Sequence, residues 1–180
     1  MFLYGVVNAS PDSLNTDSIA TDADSAVARA RMLLEQGADA IDLGGQGSTD
    51  AAEVVPWQAE WARLEAGAPL LNAAHGMQTE EMWAGAAEFH VPIVLPFLSG
   101  PNPREMRLVE ADPVRVMLDF FDERLAVADR YGLRDRCILD PGTGFAPPNW
   151  PWEERYVYQK QVYSRLDELR CYGLPLYVAL

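Results

Sequence analysis

Cysteine is scarce in this chain, and the two that occur, Cys137 and Cys171, do not form a CxxC motif. Two distant cysteines in 180 residues are too few for a secreted disulfide scaffold. Free cysteine is among the most buried residue types, so we expect both to be buried thiols. The sequence therefore gives no support to metal–thiolate chemistry.

Basic residues are also few, since 14 lysines and arginines stand against 27 aspartates and glutamates, for a formal net charge of −13. This charge repels phosphate backbones and anionic membrane surfaces, and no run rich in lysine or arginine reverses it locally. No segment approaches the ~18 consecutive apolar residues of a membrane span, and the N-terminus lacks a basic leader region. We therefore expect a cytoplasmic protein with no nucleic-acid and no membrane partner.

Short apolar runs alternate with helical patterns along the chain, which is typical of βα units around a parallel sheet. One apolar stripe at helical spacing runs through residues 23–34, and others lie near 79–89, 113–131 and 153–171. The predicted strands are 2–7, 39–43, 68–72, 91–95, 136–140 and 174–179. The fold class predicted from this alternation is α/β.

Polar side chains follow several predicted strands at the point where each strand ends. These are Asn8, Asp42, Asn72 and Asp140, and glycine-rich turns follow Asp42 and Asp140. Ligands in α/β folds bind at the carboxyl ends of parallel strands. We therefore expect these side chains to line one rim.

The turn GGQGSTD at 44–50 has glycines that allow close backbone approach and two hydroxyls, Ser48 and Thr49, that can donate to phosphate oxygens. It lacks both the GxGxxG spacing and the lysine of a P-loop. An ordinary turn therefore remains an open alternative.

Asp140 opens the stretch DPGTGF at the end of an apolar run. A buried carboxylate is costly unless it is paired, and a guanidine-like N–C–N edge can give it two parallel N–H bonds. The alternative is an aspartate that caps the following loop. Asn72 offers an amide suited to the edge of a heterocycle.

The loop 146–156 concentrates prolines with Trp150 and Trp152. Two interpretations stay open: an aromatic lid over a flat ligand, or a rigid loop packed on the protein exterior.

Six stretches, in this order, resemble the pterin-binding barrel family that includes dihydropteroate synthase. They are VVNASPDSLNTDS, GADAIDLGGQGST, GAPLLNAAHG, VPIVLPFLSG, ILDPGTGF and GLPLYVAL. Each motif alone is weak, but their ordered occurrence over most of the chain is specific.

The resemblance implies a (β/α)8 barrel of the TIM type that condenses 6-hydroxymethyl-7,8-dihydropterin diphosphate with p-aminobenzoate in folate biosynthesis. It implies Mg²⁺ as cofactor and a homodimer. By position, Asn8 would ligate Mg²⁺ or the diphosphate, and Ser48 or Thr49 would lie near the p-aminobenzoate and diphosphate. Asn72 and Asp140 would hydrogen-bond the pterin, with Phe145 also in the substrate site. Asn8 and Asp140 are the candidate catalytic residues.

The chain departs from the family pattern in length and in several motif positions. A barrel of this type needs about 250 residues and eight strands, and six strands are predicted. We expect residues 1–180 to be a single pterin-binding barrel domain that is incomplete, with a third strand missing between Leu64 and Glu65 and an eighth missing after Leu180.

Motif departures include Asp50, Ala73, Pro96 and Phe97, and compared with the family pattern the diphosphate side has lost positive charge. Two alternatives therefore stay open: a catalytically silent pterin-binding homologue, and a methyltetrahydrofolate-dependent corrinoid methyltransferase.

Overall fold

The computed structural model describes eight stretches of the chain, which together form two compact units, Met1–Asn72 and Ala73–Leu180. The described residues are 3–9, 16–44, 70–73, 75–88, 91–103, 105–109, 111–145 and 150–178. The expectation of one barrel domain over residues 1–180, with strands missing near residues 64 and 65 and after Leu180, stays a prediction.

The first unit is built on a parallel strand pair. Strand β1, Tyr4–Asn8, pairs with β2, Ala40–Gly44, so that Tyr4 lies opposite Ala40 and Asn8 opposite Gly44. Helix α1, Ala23–Glu35, connects the two strands. A short strand β3, Leu71–Asn72, ends this unit. Parallel strands need a crossover of this kind, because a hairpin turn would reverse the chain.

Local signals determine where α1 begins and ends. Its N-cap is Asp22, whose carboxylate accepts a hydrogen bond from the Ser25 N–H at 2.9 Å. Such a bond satisfies one of the backbone donors left open in the first turn of a helix. After the last turn, Gly37 adopts a φ of 104°, where a side chain would be strained.

The second unit repeats the helix–strand alternation. Helix α2 is Glu80–Glu88, β4 is Ile93–Pro96, α3 is Pro113–Arg130, β5 is Cys137–Asp140 and α4 is Trp152–Tyr163. Strands β4 and β5 are parallel, and Leu139 of β5 forms a parallel bridge with Leu176. Ile93, Val94 and Leu95 have no exposed surface, which explains why this strand reads as a continuous apolar run.

Helix α3 supplies much of the core of the second unit. Met117, Phe121 and Leu125 are at most 1% exposed. The Phe121 ring packs edge to face against Phe120 and Tyr172, with ring centroids 5.5 and 6.1 Å away. Aromatic pairs prefer this geometry because the positive ring edge meets the negative face.

The predicted strands and helices occur in the order expected, with two differences. The helix predicted near 153–171 is divided into α4 and a 3-10 helix, Leu166–Tyr172, which ends where Gly173 takes a φ of 68°. Where a strand was predicted at 174–179, the described residues form an isolated bridge, in which Leu176 pairs with Leu139. Within the described parts of the chain, no helix has the length and apolar character needed to cross a membrane.

The prediction of a buried thiol is confirmed for Cys137 and wrong for Cys171. Cys137 is buried, and burial raises the pKa of its thiol to about 12. Cys171 is exposed. Cys171 lies two residues after Leu169 on the short 3-10 helix that ends before Gly173. This helix turns the Leu169 side chain inward, where it is 1% exposed, and the Cys171 side chain outward. One buried side of so short a helix cannot take both residues.

Replacing Asp112 by Asn should weaken the acid dependence of stability. Asp112 caps α3 through the Val114 N–H at 3.0 Å and accepts from Arg165 at 2.6 Å, and the hydrogen bond from Arg165 contributes most to lowering its pKa below the ordinary 3.8. A carboxylate with a lowered folded-state pKa adds stability above its unfolded-state pKa and loses it as the pH falls through the folded-state pKa. Asparagine still caps a helix but cannot titrate.

The measurement is urea unfolding, followed by circular dichroism, between about pH 5 and about pH 2.5. We expect the free energy of unfolding of Asp112→Asn to fall less steeply below about pH 4 than that of the parent. The control is Asp119→Asn, which breaks an exposed ion pair with Arg115 but caps no helix. An identical acid dependence in parent and Asp112→Asn would contradict the assignment.

Candidate functional site

Asn8 and Asp42 project from the same face of the β1–β2 pair. Asn8 lies opposite Gly44 and Val6 opposite Asp42, and side chains two residues apart on a strand share a face. Helix α1 covers the other face, where a side chain at Gly5 would collide with Leu33. The carboxyl end of this strand pair therefore presents an amide and a carboxylate away from α1.

The amide of Asn8 is held by a serine ten residues further along the chain. Asn8 Nδ2 donates to Ser18 Oγ at 2.7 Å, and Ser18 is 1% exposed. A backbone hydrogen bond joins the same two segments, since the Ala20 N–H donates to the Asn8 carbonyl at 2.8 Å. The segment after the 3-10 turn Thr16–Ser18 is thereby attached to the end of β1.

The position of the Asn8 side chain depends on the absence of a side chain at Gly44. A Cβ atom at Gly44 would lie 2.9 Å from Asn8 Oδ1, closer than real Cβ contacts. The amide oxygen of Asn8 therefore occupies a position that a side chain at residue 44 would block. The motif GGQGST supplies this glycine as its first residue.

Asp42 was expected at the strand ends, but the motifs gave it no role in binding or catalysis. It is 4% exposed, and the Asn72 Nδ2 donates to its Oδ2 at 3.2 Å. A buried carboxylate must be paired, and that is the argument that singled out Asp140. Applied to the predicted strand 39–43, the same argument selects Asp42. Ser18 carried no comparable signal in the sequence.

Asp140 is placed at the end of β5 by the glycine-containing loop that follows it. It is 8% exposed, and its Oδ1 accepts the Gly142 N–H at 2.7 Å. Gly142 has a φ of 69°, and a Cβ there would collide with the Phe97 carbonyl oxygen. The sequence Asp-Pro-Gly therefore aims the carboxylate by a local bond that only glycine permits at this position.

The surroundings of Asp140 are mostly buried. Thr143 is 3% exposed, and its carbonyl accepts a hydrogen bond from the Gln159 side chain of α4. Phe145 is half-buried, near Gly142. Burial, together with the negative charge of Asp140, raises the pKa of Tyr158. The carboxylate therefore sits in a low-dielectric setting where its hydrogen bonds count strongly.

The two tryptophans of the proline-rich loop have different environments. Trp150 is 4% exposed and packs on Tyr158 with ring centroids 4.9 Å apart, whereas Trp152 is 62% exposed. Trp150 thus packs against its own unit, as in the packed-loop interpretation. Residues 146–149 lie outside the described part of the chain.

The predicted site residues fall into three groups. In the first unit, Asn8 and Asn72 each bind a buried polar partner, Ser18 and Asp42 respectively. In the second unit, Asp140 and Phe145 flank the Gly142 turn. Ser48 and Thr49 lie outside the described residues, so their roles stay predictions.

An Mg²⁺ ion would find one suitable ligand in the first unit. Across the described residues, no group of three or more His, Cys, Asp and Glu side chains could hold a metal ion. Mg²⁺ usually takes only one or two protein oxygens and completes its shell with water and substrate phosphates. The side chain of Asn8 supplies an oxygen of this kind at the carboxyl end of β1.

Both units match one family of proteins. The sequence model described as pterin binding enzyme matches residues 4–65 and 62–180. The chain therefore belongs to the family of pterin binding enzymes, and the resemblance drawn from the six motifs is confirmed.

Within this family the chain is similar to dihydropteroate synthases. It is 30% identical to the dihydropteroate synthase of Synechocystis sp. over 210 aligned positions, covering 98% of this chain and 70% of that protein. The structure of Yersinia pestis dihydropteroate synthase matches with a TM-score of 0.79 at 24% identity, covering 99% of this chain and 73% of that one. The Xanthomonas albilineans enzyme, solved with 4-aminobenzoic acid, matches with a TM-score of 0.75 at 25% identity, covering 99% and 72%.

These similarities confirm the predicted fold class, an α/β pterin-binding barrel. They also confirm the predicted class of function, a dihydropteroate synthase-like transferase of folate biosynthesis.

Replacing Gly142 by Ala should disrupt the second unit far more than the same change at Gly132. Both glycines have a left-handed φ, 69° and 66°, but a Cβ at Gly132 meets nothing within 4 Å. The Gly132 variant should lose about 1–2 kcal/mol from backbone strain alone. The Gly142 variant adds a collision with the Phe97 carbonyl, so its free energy of unfolding in urea should drop further. Equal losses in the two variants would show that the turn has spare room.

Proposed function

We propose that this chain condenses 6-hydroxymethyl-7,8-dihydropterin diphosphate with p-aminobenzoate and releases diphosphate. The single observation that carries the proposal is the buried Asp140 carboxylate, held at the carboxyl end of β5 by the Gly142 N–H. A carboxylate placed in this way matches the 2-amino and N3 edge of a pterin, which offers two N–H donors. The similarity to dihydropteroate synthases supports the reaction.

Asn72 and Phe145 are proposed to complete recognition of the pterin. The Asn72 amide has a donor and an acceptor suited to a heterocycle edge, and its present partner Asp42 is a carboxylate that holds the Nδ2 group. Phe145 adds an apolar ring beside the Gly142 turn.

Asn8 is proposed to hold Mg²⁺ through its Oδ1. When bound, Mg²⁺ would offset the negative charge of the leaving diphosphate. The chain itself supplies the amide oxygen, and Gly44 has no side chain that would displace it. Ser48 and Thr49 are proposed to bind the p-aminobenzoate and the diphosphate.

The wider assignments are proposals as well: a cytoplasmic homodimer with small-molecule substrates, and a single barrel domain that lacks a βα unit between Leu64 and Glu65. The family match supports the gap, because its two segments meet at residues 62–65. The alignment with the Synechocystis protein supports it too, since 210 positions are aligned although this chain has 180 residues.

The reaction is tested by incubating the purified chain with the pterin diphosphate, p-aminobenzoate and Mg²⁺. We expect diphosphate release that depends on p-aminobenzoate, with dihydropteroate formed in equal amount. Pterin binding without turnover would instead favour a catalytically silent homologue. Methylation of a corrinoid protein from methyltetrahydrofolate would favour the methyltransferase.

Replacing Asp140 by Ala should strongly weaken pterin binding, because the N–H donors of the ring would be left without their acceptor. Truncating one partner of a buried hydrogen bond costs about 1–3 kcal/mol or more, which corresponds to about a 5- to 150-fold loss of affinity. Binding is measured by calorimetry with the pterin diphosphate.

The isosteric variant Asp140→Asn separates charge from shape, since its Oδ1 can still accept the Gly142 N–H. We expect intermediate affinity and a free energy of unfolding nearer to the parent. Asp119→Asn, on the exposed side of α3, is the control and should bind pterin like the parent. Unchanged affinity in Asp140→Ala would remove Asp140 from the site.

A further inference from the structure

Ser18 is a buried polar residue for which the proposed reaction has so far no use. It closes the 3-10 turn Thr16–Ser18 and is 1% exposed. Its Oγ accepts a hydrogen bond from Asn8 Nδ2 at 2.7 Å. A buried hydroxyl is costly unless it is hydrogen-bonded, so its partner matters to the energetics of this position.

The main chain holds Ser18 against the end of β1. The Ala20 N–H donates to the Asn8 carbonyl at 2.8 Å, and Ile19 forms a parallel bridge with Asn8. The backbone hydrogen bond and the side-chain hydrogen bond therefore join the same two segments. The backbone of the segment that contains Ser18 is thereby held beside Asn8 independently of the side-chain bond.

The Asn8 side chain has two chemically opposite ends. Its oxygen can bind a cation, whereas its NH2 group can only donate. With the NH2 group bound to Ser18, the oxygen lies on the side of Gly44, where a side chain would collide with it. The orientation of the amide therefore decides whether this strand end attracts or repels a cation.

We propose that Ser18 is a positioning residue for the transferase reaction: it holds the Asn8 amide so that Oδ1, and not the NH2 group, faces Mg²⁺. This inference rests on the proposed function of Asn8. Ser18 itself contacts neither the cation nor the substrate. Its contribution is to remove the rotation of the amide that would otherwise place a donor where an acceptor is required.

The test is a double-mutant cycle read by Mg²⁺ binding. The full chain, Ser18→Ala, Asn8→Ala and the double variant are titrated with Mg²⁺ in the presence of inorganic diphosphate. A single neutral hydrogen bond corresponds to about a three- to tenfold change in affinity, and we expect Ser18→Ala to weaken Mg²⁺ binding by that factor. In the Asn8→Ala background, Ser18→Ala should have no further effect on Mg²⁺ binding, because the proposed action of Ser18 on the cation is through the Asn8 amide.

A second readout does not depend on Mg²⁺ or on turnover. The side-chain NH2 protons of Asn8, identified by nuclear magnetic resonance through their loss in Asn8→Ala, should exchange slowly with water in the parent. They should exchange faster in Ser18→Ala. Ser25→Ala is the matched control, because its hydroxyl is hydrogen-bonded to Asp22 at the exposed start of α1. It should change neither readout.

Additive effects in the cycle, or unchanged exchange of the Asn8 protons in Ser18→Ala, would overturn the proposal. Mg²⁺ binding that is insensitive to Asn8→Ala would overturn it as well. These results are separate from the assay of the parent chain for dihydropteroate. Turnover with additive effects would support the proposed function and reject the role of Ser18. An inactive parent that shows the coupling would support the role of Ser18 and reject the proposed function.

Discussion

Parallel strand pairing is the constraint on which both units depend. It brings the carboxyl ends of neighbouring strands to one edge, so that Asn8 meets Gly44 in the first unit and Asp140 meets Pro96 in the second. Each pair is connected through a helix, since parallel strands cannot be joined by a tight turn. The candidate site residues Asn8 and Asp140 lie at these edges, because the strands before them are mostly apolar and each strand has its polar side chain at the end.

Burial sets the second condition, because polar groups at the strand ends need partners once water is removed. Asp140 finds its partner locally, in the Gly142 N–H two residues further on. Asn8 and Asp42 find theirs at a distance, in Ser18 and Asn72. The sites are thus organised by hydrogen bonds whose geometry is held by the backbone, and that preorganisation is what binding of a polar ring or a cation requires.

The sequence predicted most of the elements and the family, but fewer of the contacts at the strand ends. Helical stripes located α1 and α3 because apolar periodicity and capping residues such as Asp22 and Asp112 are local signals. The helix predicted near 153–171 was too long, because the stripe continues past Tyr163 while the backbone tightens into a 3-10 turn. The position of Asp42 inside a predicted strand indicated a buried carboxylate, whereas nothing in the sequence distinguished Ser18 from any other serine in a loop.

By itself the sequence determined the alternation of strands and helices, the polar residues at the strand ends and membership of the pterin binding enzymes, because periodicity and ordered motifs are properties of the linear chain. Only the tertiary structure decided that Ser18 holds Asn8, that Asn72 meets Asp42, and that Gly142 has no room for a side chain while Gly132 has. The physical reason is that hydrogen-bond partners and free volume depend on segments that are far apart in sequence, and their approach is set by packing.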